Sequence, residues 1–381
     1  MEEKLRILKM VENGQISATE AAQLLQATDS RYSGYNTNDG GTADSSSTSL
    51  EELGRKFESF ARDAAPKVEK FAEVVAGKIA GAADRLSDAF VQHADSAEDS
   101  SRSQRSSEKR SPGGGGGTSF EKQIEIFVEA GSHNELSLSG LGGEVRVKGY
   151  NGDKITARVS YRARANAPIE MVKLGGKYFL KYESGDFTMV SIDAYVPERA
   201  FGVIKLDGMN GVLDVSSLSA TEMSFSNANG DIALSNLSAK NITAESSNGR
   251  FYVSKITAEN ASFENLNGPV DADELDVAKL KLHNYNSTLS LIMSKFARYR
   301  DYIWNVETGN AKLNINLPSA HDLGYHIKAH AAMGEIRLGL TGMQYLINEP
   351  SLVEARGSNF DTAAKKIKMA VETSNAPLLI N

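Results

Sequence analysis

The side chains most able to do chemistry in this sequence fall into two small groups, and the first is acidic. Asp271, Asp273 and Asp276 form the densest set of carboxylates in a repetitive stretch of the chain. Carboxylates at this spacing can hold a cation, or act as general acid and base, when a neighbouring group joins them. Asp271 and Asp273 would share the outer face of one strand, because they lie two residues apart. The ordinary interpretation of the set is a solvated surface.

The second group consists of His321, His326 and His330 in the segment HDLGYHIKAH. A spacing of four residues binds zinc when the residues are on a helix, because both side chains then share one face. The segment alternates like a strand, however, and in a strand His326 and His330 would lie about 13 Å apart. Two side chains at that distance cannot share one ion, so we expect no metal site here.

Motifs for nucleophilic catalysis and phosphate binding are missing from the sequence. It contains no G-x-S-x-G, and its glycine run SPGGGGGTS lacks the lysine of a phosphate loop. The chain has no cysteine, which excludes disulfides and thiolate chemistry. The sequence therefore predicts a protein without catalytic residues, cofactor or metal.

The elements that would carry these groups are organised by an Asn-Gly pair that recurs every 19 residues. Asn286 keeps the interval, with Ser287 in place of the glycine. Six apolar columns repeat with the same period, as pairs two residues apart that are separated by jumps of three. Residues two apart share one face of a strand, and a jump of three breaks that parity, so the chain must turn a corner there. The pairs are Asn210-Gly211, Asn229-Gly230, Asn248-Gly249 and Asn267-Gly268.

This pattern predicts a mainly β fold, a β-solenoid built on a 19-residue repeat, in which stacked coils bury one another's inner faces. Asn-Gly is also a strong hairpin signal, but a hairpin meander has no reason to keep six apolar columns in register. We expect Leu234, Val253 and Ile256 to be buried, and the repeated Asn side chains to stack along the axis. Gly230 and Gly249 are expected to have positive φ at the corners, where they form structural turns.

The strands outside the central repeat follow a looser pattern. Segments such as QIEIFVEA, GEVRVKGY and FTMVSIDAYVP alternate clearly but do not keep the 19-residue period. They are expected to form a broader-stranded lead-in that shields the edge of the first coil. After an insertion, SKFARYRDYIWN, coil-like units resume at GNAKLNINLP, GEIRLGL and IKMAVETSNAPLLIN.

Composition divides the 381 residues into parts. Asn13-Gly14 is a suitable helix stop, and Ser17 with Glu20 forms a capping box that opens a second helix. The predicted parts are a helical hairpin at 1–27, a flexible linker at 28–48, an amphipathic helical segment at 49–93, a disordered Ser/Gly-rich linker at 94–119, and the β-solenoid domain at 120–381.

The amphipathic segment carries a long apolar stripe that makes it the candidate partner or membrane face. Pro66 should kink or divide its helix, at a cost of about 3 kcal/mol. A stripe of this length needs a cover, which could be a second copy, the solenoid or a lipid surface. Its alternating steps of three and four favour a helical partner, as in a coiled coil, over a membrane. The stripe includes Leu50, Leu53, Phe57, Phe60, Phe71, Val75 and Ile79.

Charge and hydropathy limit partners and location. The net charge of −7 argues against nucleic acid as a partner. The N-terminal MEEKLRILKM lacks the apolar run of a signal peptide, and no stretch approaches the ~18 apolar residues of a membrane span. The sequence therefore predicts a cytoplasmic location, with or without membrane association, and a cell-surface location is the alternative.

Several segments together resemble a known family. The hairpin ILKMVENGQISATEAAQLL, the strand VSIDAYVP, the NGDI-like turns and GNAKLNINLP are similar to those of the YvlB/LiaX group. The β region of that group is described as a proposed adhesin domain of unknown function. The resemblance covers the hairpin and essentially all of 120–381, and it implies a link to the cell-envelope stress response of Gram-positive bacteria without catalytic activity.

Residues and resemblance together predict a non-enzymatic binding or scaffold protein. Its helical N-terminal part would engage a membrane or a protein partner, or self-associate, while the solenoid forms a rigid body. The alternative is a cell-surface adhesin or a carbohydrate-active β-solenoid, in which the β domain itself carries the binding.

Overall fold

Parallel strands stacked in register make up most of the fold. A computed structural model describes residues 117–129, 133–163, 167–292 and 294–381. The strands are β1 (Thr118–Phe127), β2 (Glu135–Ser139), β3 (Gly142–Tyr150), β4 (Lys154–Ala163), β5 (Glu170–Leu174), β6 (Lys177–Lys181), β7 (Phe187–Pro197), β8 (Val203–Gly208), β9 (Leu213–Asn229), β10 (Ile232–Asn248), β11 (Phe251–Asn267), β12 (Val270–Asp273), β13 (Asp276–Asn284), β14 (Leu289–Leu291), β15 (Asp301–Thr308), β16 (Leu313–Ile315), β17 (Leu323–Ala331), β18 (Ile336–Leu338), β19 (Met343–Glu349), β20 (Leu352–Gly357), β21 (Lys365–Thr373) and β22 (Leu378–Ile380), with a 3₁₀ turn at Ser184–Asp186.

The predicted hairpin, the first linker and the amphipathic segment all lie outside the described residues. This holds for the whole of 1–93 and for 94–116 of the second linker. Within the ranges that the structure describes, the protein has no helix long and apolar enough to cross a membrane.

The central coils confirm the 19-residue solenoid. Strands β9, β10 and β11 pair in parallel with a constant offset, so that Leu234 lies between Val215 and Val253. The pairing of β10 with β11 is interrupted at Asn236, at Lys240 and just before Asn248. Each interruption is a corner, and the coil therefore has three short sides.

The inner faces of the coils form one apolar core. Leu234, Val253 and Ile256 are completely buried, with 0% of their surface exposed, as the column pattern predicts. Complete burial of such a side chain stabilises the fold by about 1.5–3 kcal/mol. Because the same column is apolar at every level, each coil depends on the coils above and below it for this burial.

Ten parallel levels stack on each of two sides. One side runs β6, β2, β8, β9, β10, β11, β13, β15, β21 and β17. The other runs β7, β3, β9, β10, β11, β12, β14, β16, β22 and β18. At ~4.8 Å per level, the parallel stack is roughly 45 Å long.

The order of levels differs from chain order at both ends of the stack. The coil β2–β3 lies between β6–β7 and β8–β9. In the same way, β21–β22 lies between β15–β16 and β17–β18. The segments expected to form a lead-in outside the repeat therefore include true coils, and the last strands of the chain fill an internal level.

Antiparallel strands cap the two ends. At one end β4 pairs with β7, and β1 pairs with β4. At the other end β20 pairs with β17, and β19 pairs with β20. These pairings cover β7 and β17, and β5 covers β6 in the same way. These three outermost strands would otherwise present open backbone edges.

A left-handed residue marks one corner of each central coil, and it is not the Asn-Gly pair. Ser217, Asn236, Lys255 and Glu274 have φ of 60°, 53°, 55° and 50°, and they lie 19 residues apart. Non-glycine residues rarely adopt this region, and asparagine does so more readily than the other three types. The stacking requires the same backbone at every level, so the conformation repeats although the residue type does not.

Candidate functional site

The repeated asparagines form a hydrogen-bonded ladder on the surface. Each side-chain Nδ2 donates to the Oδ1 of the asparagine one level before it, so that interior members both donate and accept. The stacking predicted from the repeat is therefore present, and it extends beyond the regular repeat. The bonds are Asn229 to Asn210 at 2.9 Å, Asn248 to Asn229 at 2.8 Å, Asn267 to Asn248 at 3.0 Å, Asn286 to Asn267 at 2.9 Å, Asn310 to Asn286 at 3.1 Å and Asn375 to Asn310 at 2.7 Å.

Replacement of an interior asparagine of the ladder is expected to lower the free energy of unfolding more than replacement of the first asparagine. Asn248→Ala removes two hydrogen bonds and should lower the free energy of unfolding by about 1 kcal/mol, a modest value because the site is exposed. Asn210→Ala removes the single ladder bond that Asn210 accepts and should cost about half as much. Denaturant titration of both variants tests this order, and an equal loss would contradict it.

The glycine beside each ladder asparagine is required by close approach. A Cβ on Gly230 would lie 2.1 Å from the carbonyl oxygen of Gly211, and a Cβ on Gly249 would lie 2.3 Å from that of Gly230. Gly268 shows the same contact, at 1.8 Å from the Gly249 oxygen. The expected positive φ is present at Gly249, at 149°, but is wrong for Gly230, which is not among the positive-φ residues. Each glycine leaves room for the backbone one level below.

Gly230→Ala is expected to destabilise the solenoid by about 1–3 kcal/mol, because the new methyl group must displace backbone on the adjacent level. Gly185→Ala is the matched control, since a Cβ there meets no atom within 4 Å. Thermal unfolding measures both, and a melting temperature for Gly230→Ala equal to that of the control would refute the close-approach explanation.

A second asparagine column, which the sequence analysis missed, lies inside the same corner. Asn227, Asn265 and Asn284 are at most 1% exposed, and Ser246 fills the column between the first two. The Asn227 Nδ2 donates to the carbonyl oxygen of Gly211 at 2.7 Å. Asn265 and Asn284 donate to corner carbonyl oxygens in the same manner. Buried carbonyls need such donors, and the signal was a polar residue recurring two positions before the ladder asparagine.

The acidic set does not converge on one point. Asp276 is buried, and its carboxylate accepts hydrogen bonds from the Tyr302 hydroxyl at 2.8 Å and from the backbone N–H groups of Ala297 and Arg298. The expectation of a solvated surface is therefore wrong for Asp276, which holds the insertion against the core. Burial raises the pKa of the Tyr302 hydroxyl, which donates to this carboxylate. Asp271 instead lies 3.4 Å from Arg250 on the surface.

His326 and His330 lie on strand β17, as the alternation predicts, and His321 lies in the turn that precedes it. His326 Nε2 is 2.9 Å from Glu354 Oε1 on the neighbouring strand β20. His330 is exposed, and its register partner on β21 is Glu372. In the part of the chain that the structure describes, no three potential ligands are arranged to hold a metal ion.

An outer column of carboxylates and imidazoles follows one side of the stack. The Lys281 Nζ donates to Glu264 at 2.7 Å, and His283 contacts Glu307. Burial, together with the nearby Glu264 and Glu307 carboxylates, raises the pKa of Tyr285 to about 12. These contacts give Glu264, His283 and Glu307 structural partners. In register order it contains Glu245, Glu264, His283, Glu307, Glu372 and His330.

A groove of about 330 Å³ opens near the C-terminal cap. Leu317, Leu323 and Met343 provide apolar walls, while Ser319 and Thr341 provide hydroxyl groups. Its lining contains no carboxylate, imidazole, ammonium or guanidinium side chain. The volume lies at the lower end of the range for small-molecule sites, and the lining suits an uncharged ligand. The groove is assembled from strand ends and connections that lie far apart in the sequence, so no local motif could have indicated it.

The candidate partner face in the amphipathic segment cannot be placed with these sites. Its residues, from Leu50 to Ile79, lie outside the described part of the chain.

Two family models match the sequence. Residues 119–349 match the model described as Toastrack DUF4097. Residues 2–31 match a SHOCT-like domain. No curated protein matches the chain at a significant level.

Several solved structures are similar to the chain over 68% of its length. A proposed adhesin from Bacteroides fragilis is 10% identical, with a TM-score of 0.40 and 97% of its own chain covered. A proposed lipid-binding protein from Parabacteroides distasonis is 11% identical, with a TM-score of 0.40 and 97% covered. A proposed cell adhesion protein from Clostridium sporogenes is 12% identical, with a TM-score of 0.25 and 98% covered. At these identities and TM-scores the likeness carries no argument about function.

Proposed function

The chain belongs to the Toastrack DUF4097 family, and from that premise we propose that it is a non-enzymatic binding or scaffold protein. We place it in the bacterial cell-envelope stress response, which the resemblance to the YvlB/LiaX group supports. In this proposal the N-terminal part engages a membrane or a protein partner, and the solenoid is the body to which that part is attached. The location is cytoplasmic, with or without membrane association.

The observation that carries the non-enzymatic proposal is that the side chains best suited to chemistry have structural partners. The Asp276 carboxylate accepts bonds from Tyr302 and from two backbone N–H groups. His326 is hydrogen-bonded to Glu354, and His283 contacts Glu307. A general acid or base must reach a substrate proton, and Asp276 is only 6% exposed.

The proposal for the N-terminal part comes from its sequence. The stripe from Leu50 to Ile79 is flanked by segments rich in serine and glycine, so it has no neighbour in sequence that could cover it. A helical partner or a lipid surface would bury the stripe, and burial of apolar area supplies the binding free energy. The balanced charges of the segment give little attraction to anionic lipid.

Both partners can be tested with the full chain. The probes are vesicles of phosphatidylglycerol and phosphatidylethanolamine in a co-sedimentation assay, with sedimentation velocity of the protein alone run in parallel. The triple variant Phe57→Ser, Phe60→Ser, Phe71→Ser should lose whichever association the wild type shows. Glu58→Ser with Lys70→Ser is the control, because it changes the polar residues of the same segment without changing net charge.

If the wild type neither pellets with vesicles nor self-associates, the stripe is not a face for lipid or for a second copy. Fractionation of the source bacterium into cytosol, membrane and medium then tests the location. Recovery of the chain mainly in the medium would favour the surface alternative.

The groove supports one alternative function, a cell-surface adhesin in which the solenoid itself binds. Its uncharged, mixed apolar and hydroxyl lining suits a neutral sugar, and a carbohydrate-active solenoid is the related case. Ala320→Trp would fill the groove from an exposed position, while Met333→Trp changes an exposed residue that does not line it. Loss of glycan-array binding in the first variant alone would support this function, and no binding by the wild type would remove it.

A further inference from the structure

The Asn-Gly pairs have a chemical reactivity that their repetition makes important. In deamidation the glycine nitrogen, after losing its proton to solvent base, forms a bond to the asparagine Cγ. The Cγ–Nδ2 bond then breaks, and ammonia leaves with a proton from water. Water opens the resulting succinimide to aspartate or isoaspartate. Glycine favours the reaction because it has no side chain to hinder the approach of its nitrogen.

The hydrogen bonds of the ladder protect its own asparagines from this reaction. Asn229, Asn248 and Asn267 each donate through Nδ2 and accept through Oδ1 at distances of 2.8–3.0 Å. Turning the side chain toward the next nitrogen would break both bonds, and loss of ammonia needs the Nδ2 to be released. Parallel pairing on both sides also fixes the backbone of Asn248, between Asn229 and Asn267.

One Asn-Gly pair of the solenoid lies off the ladder. Asn151 and Gly152 are exposed in the bend between β3, which ends at Tyr150, and β4, which begins at Lys154. The Gly152 N–H donates to the Tyr150 carbonyl oxygen at 3.1 Å. This bond engages the nitrogen that would attack, so it must open before the reaction, but it is one backbone bond within an exposed bend. None of the described side-chain hydrogen bonds holds Asn151, whereas each protected ladder asparagine is held by two. The same dipeptide is therefore present in two environments within one molecule.

We propose that Asn151 is the site of spontaneous deamidation in the solenoid, and that the ladder protects Asn229, Asn248 and Asn267. Reaction at Asn151 places a new carboxylate two residues from Asp153 and adds negative charge to this turn. The isoaspartate product also lengthens the backbone of the bend by one carbon. Asn210, the first member of the ladder, engages in it through Oδ1 and should react at an intermediate rate.

The test follows each Asn-Gly by peptide mass spectrometry in one incubation of the full chain at mildly alkaline pH. In the native protein Asn151 should react at least about tenfold faster than the three protected residues, since each reaction there must first break two hydrogen bonds. In denaturant all of them should react at similar rates. Native ladder residues that react as fast as Asn151 would overturn the proposal.

A ladder-breaking variant identifies the cause of the protection. Asn248→Ala removes the donor to Asn229 and the acceptor of Asn267, so deamidation at both neighbours should accelerate several-fold. Asn151→Ser is the control, because it removes the reactive site and leaves the ladder bonds in place. If a folded Asn248→Ala protein keeps wild-type rates at Asn229 and Asn267, the ladder is not the protecting element. If that variant does not fold, Asn210→Ala takes its place, because it removes only the acceptor of Asn229: deamidation should then accelerate at Asn229 and not at Asn267, and unchanged rates at both would overturn the role of the ladder.

Discussion

Deletion of residues 365–381 is expected to unfold the solenoid instead of shortening it by one coil. Strand β21 lies between β15 and β17, and β22 lies between β16 and β18. The deletion therefore removes an internal level, and the two levels that remain on either side of the gap do not pair with each other in the described structure. It exposes the core on both sides of the gap.

The size of the effect follows from the side chains that are lost. Ile367, Met369, Val371, Leu378 and Ile380 are at most 2% exposed. At about 1.5–3 kcal/mol for each buried side chain, their removal costs roughly as much as the whole stability of a typical domain, about 5–15 kcal/mol.

Circular dichroism and differential scanning calorimetry of the truncated chain measure this outcome. The control is Lys368→Ser with Glu372→Ser, which changes two exposed side chains of β21 and keeps its buried face. We expect the control to melt close to the wild type and the truncated protein to lose its cooperative transition. A truncated protein that melts cooperatively near the wild-type temperature would show that β21 and β22 do not hold the neighbouring levels together.

Leu234→Asp is the single substitution with the largest expected effect. Leu234 has 0% exposure and packs in a column with Val215 and Val253 on the levels before and after it. The change removes a buried apolar side chain, at about 2–5 kcal/mol, and places an unpaired carboxylate in the core. The charge adds several kcal/mol more, so the domain should be largely unfolded at room temperature.

Lys240→Asp is the matched control for this substitution, because it puts the same side chain at an exposed corner of the same coil. Its melting temperature should stay within a few degrees of the wild type. Denaturant titration of the two variants separates burial of the charge from the charge itself. An unchanged midpoint for Leu234→Asp would refute the register of the solenoid.

The repeat carried enough information to predict the coils, because burial selects the same residue class at the same place on every level. Leu234, Val253 and Ile256 are buried for this reason, and the jump of three residues from Val253 to Ile256 marks the corner between two sides of the coil. The groove and the order of levels could not be predicted in the same way. In a parallel stack an inward-facing strand fits many neighbours, so periodicity does not say that β21 lies between β15 and β17.

The corners show a second limit of sequence reasoning. The glycine at position 230 suggested a positive φ. The structure shows a different reason for glycine: a Cβ there would lie 2.1 Å from a backbone oxygen that belongs to another level. The left-handed position is occupied by Ser217, Lys255 and Glu274 as well as by an asparagine. Stacking imposes that conformation on residues that do not prefer it, so their types gave no signal.

At both ends of the stack the order of levels differs from chain order, and this determines where the protein can change length during evolution. Duplication of one 19-residue unit between Asn210 and Asn286 would add one level to every side, one member to the ladder and one left-handed corner. Both closed ends would remain as they are, because β2–β3 and β21–β22 keep the neighbours that they have. An insertion of equal size at either end would instead have to open a level that is already filled. Lineages with longer or shorter solenoids of this kind are therefore expected to differ by whole units in the middle, with both ends unchanged.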